Sequence, residues 1–221
     1  MVDESFLGKL AQDDIDALIA AGRRRRIAAR ARLFEEGDAA YEVLVVDHGA
    51  VKLARVSGEG REVVVAVRRE GAILGELSAI DGGARSTSAT TLVATELIAV
   101  PFNNFRDLLA ERATIGRALL DLLAQRLRES TDRMLEFGTA DALTRVCRRL
   151  VEFADALELQ PADGVELIVP LTQQEIASLS GLSREAVVKA LKSLRELGWI
   201  EVTGRNLTLL DVDALRGRAI G

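Results

Sequence analysis

The sequence is poor in the residues from which redox and metal centres are built. Among its 221 residues there is one cysteine, Cys147, and one histidine, His48. A single cysteine excludes a disulfide within the chain and a cysteine-ligated zinc or iron–sulfur site within one chain. It fits a reducing compartment, because disulfides accumulate in oxidising ones.

Catalytic groups are equally scarce. A Ser–His or Cys–His pair would have to use His48, which lies in a predicted hairpin turn, and the sequence shows no cluster of metal-ligating residues. We therefore expect neither an enzyme nor a metal site.

Long apolar runs are also missing. No run approaches the roughly 20 residues of a membrane span, and the chain begins MVDESFLGKL, which is acidic before it is apolar. We expect a cytoplasmic protein with no membrane association.

The composition, 48% hydrophobic and 29% charged, is that of a folded protein, and the length suits two domains. Because the net charge is -5, any contact with DNA has to come from a local basic patch.

The first half has the pattern of a β domain. From Ile27 to Val100, short β-branched stretches alternate with glycines, which predicts an antiparallel β-barrel or sandwich. Before it, apolar residues at helical intervals over 6–19 predict a helix. We interpret the following run, Arg23 to Arg26, as the solvated end of that helix.

A long helix is predicted next. The segment from Phe105 to Phe137 contains no proline and one glycine, and Gly138 is expected to end the helix, with Thr139 or Asp141 capping the next one. Residues spaced alternately by three and four form a coiled-coil seam: Leu120, Leu123, Leu127, Ser130, Met134 and Phe137. The seam predicts a homodimer through residues 115–137; the alternative is that the stripe packs on its own barrel. The hydroxyl of Ser130 would need a partner there.

The last third predicts a winged helix-turn-helix. Thr172, Gln173, Gln174 and Glu175 form a capping box that starts a helix, Gly181 supplies a turn, and Ser183 caps a second helix. The segment Trp199 to Leu210 predicts a hairpin wing that turns at Gly204. The predicted domain limits are 1–104, 105–138 and 139–221.

The second of these helices is locally positive. Arg184 can pair with guanine and Glu185 with cytosine in the major groove. Lys189 adds positive charge on the same helix, and a plain solvated face is the alternative. Ser183, Gln173, Gly204 and Arg205 would hold phosphates and set the register on the duplex. Thr172 and Gln174, in the capping box, complete the candidate DNA-binding residues.

A second dense motif is GELSAIDGGARST, residues 75–87. A loop that brings Gly75 to Leu77 near Arg85 and Ser86 offers backbone N–H groups, a guanidinium and a hydroxyl to one phosphate, with Glu76 able to accept from a ribose hydroxyl. The alternative is a surface hairpin with an Arg–Glu ion pair.

In the order of these parts, and over essentially its whole length, the chain resembles the CRP/FNR (catabolite activator protein) family of transcription regulators. The resemblance implies an α+β architecture: a jelly-roll-like, cyclic-nucleotide-binding β-barrel, a dimerisation helix and a winged helix-turn-helix. It implies that the motif at 75–87 holds the ribose-phosphate of cAMP or, less favoured, cGMP, through Gly75, Glu76, Leu77, Ser78, Arg85, Ser86 and Thr87. It also implies that Ser130 and Thr131 meet the adenine, one from each subunit.

The resemblance extends to the partners, which are palindromic promoter DNA and RNA polymerase, the latter near Arg23 and Arg25. The chain departs from the family pattern in carrying Lys189 where a second arginine is common. Ala186 lacks a phosphate-binding hydroxyl, and the Ser130–Thr131 order is reversed. The family's iron–sulfur and haem sensors are not expected here, because one cysteine and His48 cannot supply their ligands. The alternative function is a regulator that answers to another small anion, or to none.

Overall fold

A computed structural model describes residues 5–58, 60, 62–156, 167–203 and 206–220. The chain forms two compact units: Met1–Glu62 with Ala66–Thr131, and Val63–Val65 with Asp132–Gly221. The sequence-based limits 1–104, 105–138 and 139–221 remain a prediction about independent domains.

The first unit combines two antiparallel four-stranded sheets with helices, as predicted. One sheet has the order β1-β8-β3-β6 and the other β2-β7-β4-β5. Its elements, after a 3-10 turn at Leu7–Lys9, are α1 Gln12–Ala20, β1 Arg23–Ile27, β2 Arg32–Phe34, β3 Glu42–His48, β4 Ala50–Val56, most of β5 Glu62–Arg69, β6 Ile73–Leu74, α2 Glu76–Asp81, β7 Ser88–Thr91, β8 Thr95–Pro101, α3 Phe102–Glu111 and the start of α4 Ala113–Thr139.

The sheet that contains β3 and β8 is buried on both faces. Leu44 and Leu97 belong to a cluster shared with residues of the other sheet, so this cluster fills the space between the sheets. Val45 and Ile98, which alternate with them, belong to a second cluster with residues of α3 and α4. The strands are therefore nearly continuous apolar runs, as expected for a sheet covered on both sides.

The arginine run is a strand and not a helix end, so that prediction was wrong. Arg23 to Arg26 form most of β1, an edge strand paired only with β8. Arg24 pairs with Asp47, Arg25 with Glu42 and Arg26 with Glu96. Exposed charges of this kind protect a sheet edge from pairing with another chain.

The prediction of one helix from Phe105 to Phe137 was also wrong. Arg112 has extended backbone and separates α3 from α4. The buried carboxylate of Asp14 stabilises this break, because it accepts from Arg112 Nη1 at 2.9 Å and from Thr114 Oγ1 at 2.5 Å. Gly138 does not end α4, which continues to Thr139.

Helix α4 divides the predicted seam between two environments. Leu123 is partly buried against the cluster that contains Ile115 and Leu122. The side chains of Leu120, Leu127 and Met134 are 67%, 70% and 73% exposed. The face of α4 that packs on the chain's own β domain is therefore different from the face that carries most of the seam.

The second unit has the elements of a winged helix-turn-helix. A short sheet of order β10-β11-β9 accompanies the helices. After the end of α4, the elements are α5 Ala142–Ala156, β9 Leu167–Val169, α6 Gln173–Ser180, α7 Arg184–Glu196, β10 Ile200–Thr203, β11 Asn206–Leu209 and α8 Val212–Ile220. Strands β10 and β11 confirm the predicted hairpin, while Gly204 and Arg205, at its predicted turn, lie outside the described residues.

Asp141 caps α5; it is one of the two capping residues, Thr139 or Asp141, that the sequence predicted. Its Oδ1 accepts from the Thr144 backbone N–H at 2.8 Å, and its Oδ2 accepts from Arg218 of α8 at 2.6 Å. These donors, the Thr144 N–H first, lower the pKa of Asp141 from 3.8 to about 2.

We expect Asp141→Ala to lower the free energy of unfolding by about 1 kcal/mol at neutral pH, because the cap is lost. Since the folded-state pKa lies below the unfolded value, the carboxylate stabilises fully above about pH 4, and this contribution is lost as the pH falls toward 2. Urea unfolding from pH 7 to pH 3 measures both effects. Asp141→Asn, which still caps, is the control; equal stability of wild type and Asp141→Ala would contradict the prediction.

Candidate effector and DNA-binding sites

The most unusual side chain of the first unit is Arg85. It is 5% exposed and forms no ion pair within 4.0 Å in the described part of the chain. Its Nη2 donates to the Glu42 backbone oxygen at 2.8 Å, while Nε and Nη1 lack any hydrogen-bond partner among the described residues. Burial lowers the pKa of Arg85, although an arginine remains charged at any physiological pH. The protein thus buries a cation with two free donors.

The surroundings hold this guanidinium in place. Its Cζ lies 4.2 Å from the centroid of the Phe34 ring, a stacking arrangement that arginine favours. The backbone is fixed as well, since the Arg85 N–H donates to Asp38 and its carbonyl accepts from Gly37. The unpaired donors are therefore not the result of a loosely held side chain.

Gly75 is required beside Arg85 for two reasons. Its φ of 76° lies in the left-handed region that side chains disfavour. A Cβ at this position would also overlap Arg85 Nη1. The glycine lets the backbone at the start of α2 approach the guanidinium closely, which is the arrangement predicted from the motif.

One carboxylate oxygen of Glu76 is already engaged within the chain, which the prediction did not include. It is buried, and its Oε1 accepts from Arg126 Nη1 of α4 at 2.5 Å. Arg126 Nη2 also donates to the Ile73 backbone oxygen at 3.1 Å. Sequence reasoning missed Arg126, although its position four residues before Ser130 on one helix is a signal that could have found it.

The other motif residues divide by exposure. Ser78 is buried, and its hydroxyl donates to the Ala84 backbone oxygen at 3.1 Å, so it fixes the loop that follows α2. Leu77 and Ser86 are exposed, and Thr87 is half-buried. Ser86 follows Arg85 directly in the chain, and its exposure leaves it accessible to a ligand.

Ser130 and Thr131 satisfy their hydroxyls within α4. Ser130 Oγ donates to Arg126 O at 2.9 Å, and Thr131 Oγ1 donates to Leu127 O at 3.0 Å. Both residues are exposed in the single chain. The partner that Ser130 was predicted to need is therefore its own helix, while the oxygen lone pairs remain able to accept.

The helix-turn-helix follows the predicted local signals closely. Thr172 Oγ1 accepts from the Glu175 N–H at 3.2 Å and the Glu175 carboxylate accepts from the Thr172 N–H at 2.7 Å. Gly181 has a φ of 60°, and Ser183 Oγ accepts from the Ala186 N–H at 3.2 Å. The capping box, the turn and the second cap are confirmed.

The residues predicted to read DNA lie at the surface. Thr172 and Gln174 at the start of α6 are exposed and Gln173 is half-buried. Ser183, Arg184, Glu185 and Lys189 are all exposed on the first turns of α7. Hydrogen bonds from its own N–H and from Ser183 lower the pKa of Glu185 and keep it an acceptor. The arrangement presents cations and one carboxylate together on one helix.

Three further results concern membrane spans, metal sites and the one cysteine. No described helix is long and apolar enough to cross a membrane. Across 5–58, 60, 62–156, 167–203 and 206–220, no group of three or more His, Cys, Asp or Glu residues could hold a metal ion. Cys147 is buried, and burial raises the pKa of its thiol to about 11, which disfavours the reactive thiolate at neutral pH.

Comparison with known proteins assigns both units. Residues 24–112 match the cyclic nucleotide-binding domain, and residues 144–218 match the Crp-like helix-turn-helix domain. A "CRP-like cAMP-activated global transcriptional regulator" of Mycobacterium tuberculosis is 33% identical over 85% of this chain and 84% of its own length. The chain belongs to the CRP/FNR family of transcription regulators.

Solved structures of CRP/FNR regulators agree with this assignment. The catabolite activator protein of Thermus thermophilus is 27% identical, with a TM-score of 0.55, over 97% of this chain and 98% of its own. The c-di-GMP responsive global regulator of Xanthomonas campestris is 26% identical, with a TM-score of 0.75, over 90% and 99%. This CRP/FNR protein is thus a cyclic-nucleotide-binding transcription regulator with a DNA-binding helix-turn-helix, and not an enzyme.

Proposed function

We propose that the protein is a cAMP-responsive, homodimeric regulator that binds palindromic promoter DNA in the cytoplasm and activates transcription at some promoters. The observation that carries the proposal is the buried guanidinium of Arg85, whose Nε and Nη1 have no hydrogen-bond partner among the described residues and whose Nη1 lies against Gly75. A buried cation without an anion is costly. A cyclic phosphate would supply the missing charge and the missing acceptors.

The rest of the nucleotide fits the neighbouring groups. Backbone N–H groups near Gly75 and Leu77, and the hydroxyls of Ser86 and Thr87, surround the phosphate in this proposal. Glu76 is the ribose acceptor. Because Arg126 occupies one of its oxygens, the ribose hydroxyl has to use the other oxygen or displace Arg126.

The choice of cAMP rests on the base end of the site. Ser130 and Thr131 place two hydroxyls on exposed positions of α4, where one subunit and its partner can each contribute to an adenine. The relative from M. tuberculosis carries cAMP activation in its name, which supports the choice. The alternative is another cyclic nucleotide or small anion, since the similar X. campestris protein is described as c-di-GMP responsive.

The exposed stripe of α4 supports the homodimer. Leu120, Leu127 and Met134 recur at intervals of seven on a helix whose other apolar face is already covered by the first unit. Such a stripe is stable in water when a second copy covers it. Twofold symmetry then requires a palindromic operator with half-sites about one helical turn apart.

Two recognition roles complete the proposal. Arg184 and Glu185 contact a G·C pair, while Thr172, Gln173, Gln174, Ser183, Lys189, Gly204 and Arg205 hold the backbone or neighbouring bases. A contact of β1 with RNA polymerase is proposed through Arg23, which forms no ion pair within 4.0 Å in the described chain. Arg25 is bound to Glu42 through two hydrogen bonds of 2.7 Å and is less available.

Calorimetric titration with cAMP, cGMP, c-di-GMP and AMP tests the effector. We expect cAMP to bind most tightly and Arg85→Ala to weaken it by about 1.5 to 3 kcal/mol, because charge-assisted bonds to the phosphate are lost. Arg55→Ala, which removes an exposed arginine on β4, is the control. Unchanged cAMP affinity in Arg85→Ala would refute the phosphate site, and preference for another nucleotide would refute the choice of cAMP.

Light scattering at micromolar concentration tests the dimer. We expect the wild type to be a dimer with and without cAMP. Leu127→Asp should shift it to monomers because two carboxylates would meet in the seam. Val56→Asp places the same charge on an exposed valine of β4 and should leave the dimer intact. A monomeric wild type, or a dimeric Leu127→Asp protein, would contradict the hypothesis that the seam of α4 forms a dimer interface.

Fluorescence anisotropy with a labelled operator tests how cAMP controls DNA binding. A ligand shifts an equilibrium only by its differential affinity for two states, typically about 1 to 3 kcal/mol, so cAMP should raise operator affinity roughly 5- to 150-fold. Ser130→Ala with Thr131→Ala should reduce this ratio more than it weakens cAMP binding, because the adenine end bridges the subunits. Equal ratios for wild type and double variant would exclude the seam hydroxyls as the coupling element.

A further inference from the structure

The recognition helix α7 exposes one apolar side chain in the middle of its polar face. Val188 is 43% exposed, whereas Val187 and Leu191 are buried. It follows Arg184 by four residues and Glu185 by three, so it lies beside both on the helix surface. Within Arg184–Glu196 it is the one exposed large hydrophobic residue.

Neither the fold nor the helix explains a valine at this position. A β-branched residue forms helix less readily than the polar residues around it, and its exposed methyl groups contribute little to the core. Isolated exposed valines are common on protein surfaces. This one, however, is flanked by Arg184, Lys189 and Lys192 on the helix that faces DNA in the proposed function.

The chemistry of the major groove offers a partner for such a side chain. Among the groups that base edges present there, the C5-methyl of thymine is the apolar one. We propose that Val188 determines specificity by packing against the methyl group of a thymine in each half-site. Because valine is short and adjacent to Arg184 and Glu185, this thymine lies next to the G·C pair that those two residues contact.

This inference rests on the proposed DNA-binding function and adds a base preference to it. The probe is a duplex that the wild-type protein itself selects from a random library, in the presence and in the absence of cAMP. Each thymine of the selected half-site is then replaced by deoxyuridine in both half-sites. This replacement removes only the methyl group and leaves every hydrogen-bonding group of the base pair in place.

We expect one symmetric pair of thymines to be sensitive to the replacement. Losing the burial of one methyl group corresponds to a loss of affinity of roughly fourfold per half-site and about fifteenfold for both. Deoxyuridine at the remaining positions should leave affinity unchanged. Fluorescence anisotropy at constant salt measures the ratio at each position, because salt alone changes the affinity of a protein for DNA.

Variants identify Val188 as the source of this sensitivity. Val188→Ala should bind the thymine and the deoxyuridine duplexes almost equally at the sensitive position. Leu197→Ala truncates another exposed apolar side chain, at the C-cap of the same helix, and should keep the wild-type ratio. Val188→Thr retains the branched shape and one methyl group, so it should keep part of the ratio and serves if Val188→Ala binds too weakly to measure.

The outcomes separate the inference from the function on which it rests. If the wild type selects no palindromic sequence, both the proposed DNA-binding mode and the inference fail. If it selects an operator in which no thymine is sensitive, the regulator stands and the role of Val188 is refuted. The same holds if Val188→Ala keeps the wild-type thymine-to-deoxyuridine ratio.

Discussion

The buried guanidinium of Arg85, which forms no ion pair within 4.0 Å among the described residues, is the constraint on which the candidate effector site depends. Desolvating a guanidinium without an ion pair is unfavourable, and one carbonyl, the Phe34 ring and the charges of nearby carboxylates, Glu42 first, partly offset this cost. Among the described residues, Nε and Nη1 of this guanidinium have no hydrogen-bond partner, and the Phe34 ring and the Glu42 oxygen hold the group in place. An anion that binds there encounters a preorganised site, so little conformational entropy is lost in ordering the arginine.

Much of the DNA-binding unit was predictable because its signals are local. The capping box at Thr172, the left-handed turn at Gly181 and the cap at Ser183 each depend on residues within four positions of one another. A hydrogen bond across three residues forms the same way whatever the distant chain does. The motif that contains Gly75 and Arg85 was predictable for a similar reason, since both residues lie in one short segment.

The errors concern contacts between distant segments. Four consecutive arginines look the same on a helix end and on an edge strand, and only pairing with β8 and with Glu42, Asp47 and Glu96 decides between them. The break at Arg112 depends on Asp14, about a hundred residues away. The partner of Glu76 is fifty residues away on α4. Periodicity within one segment contains no information about such contacts.

Helix α4 connects the effector site to the proposed dimer surface by its geometry alone. One face packs Ile115 and Leu122 into the core, Arg126 binds Glu76, and Leu127, the next residue, is exposed in the stripe. Under the proposed function, a ribose hydroxyl that competes for Glu76 would therefore release Arg126, the neighbour of a seam residue. In the proposed function, an exchange of partners at this carboxylate would favour one packing of the stripe over another only if the two packings differ in their affinity for the ligand.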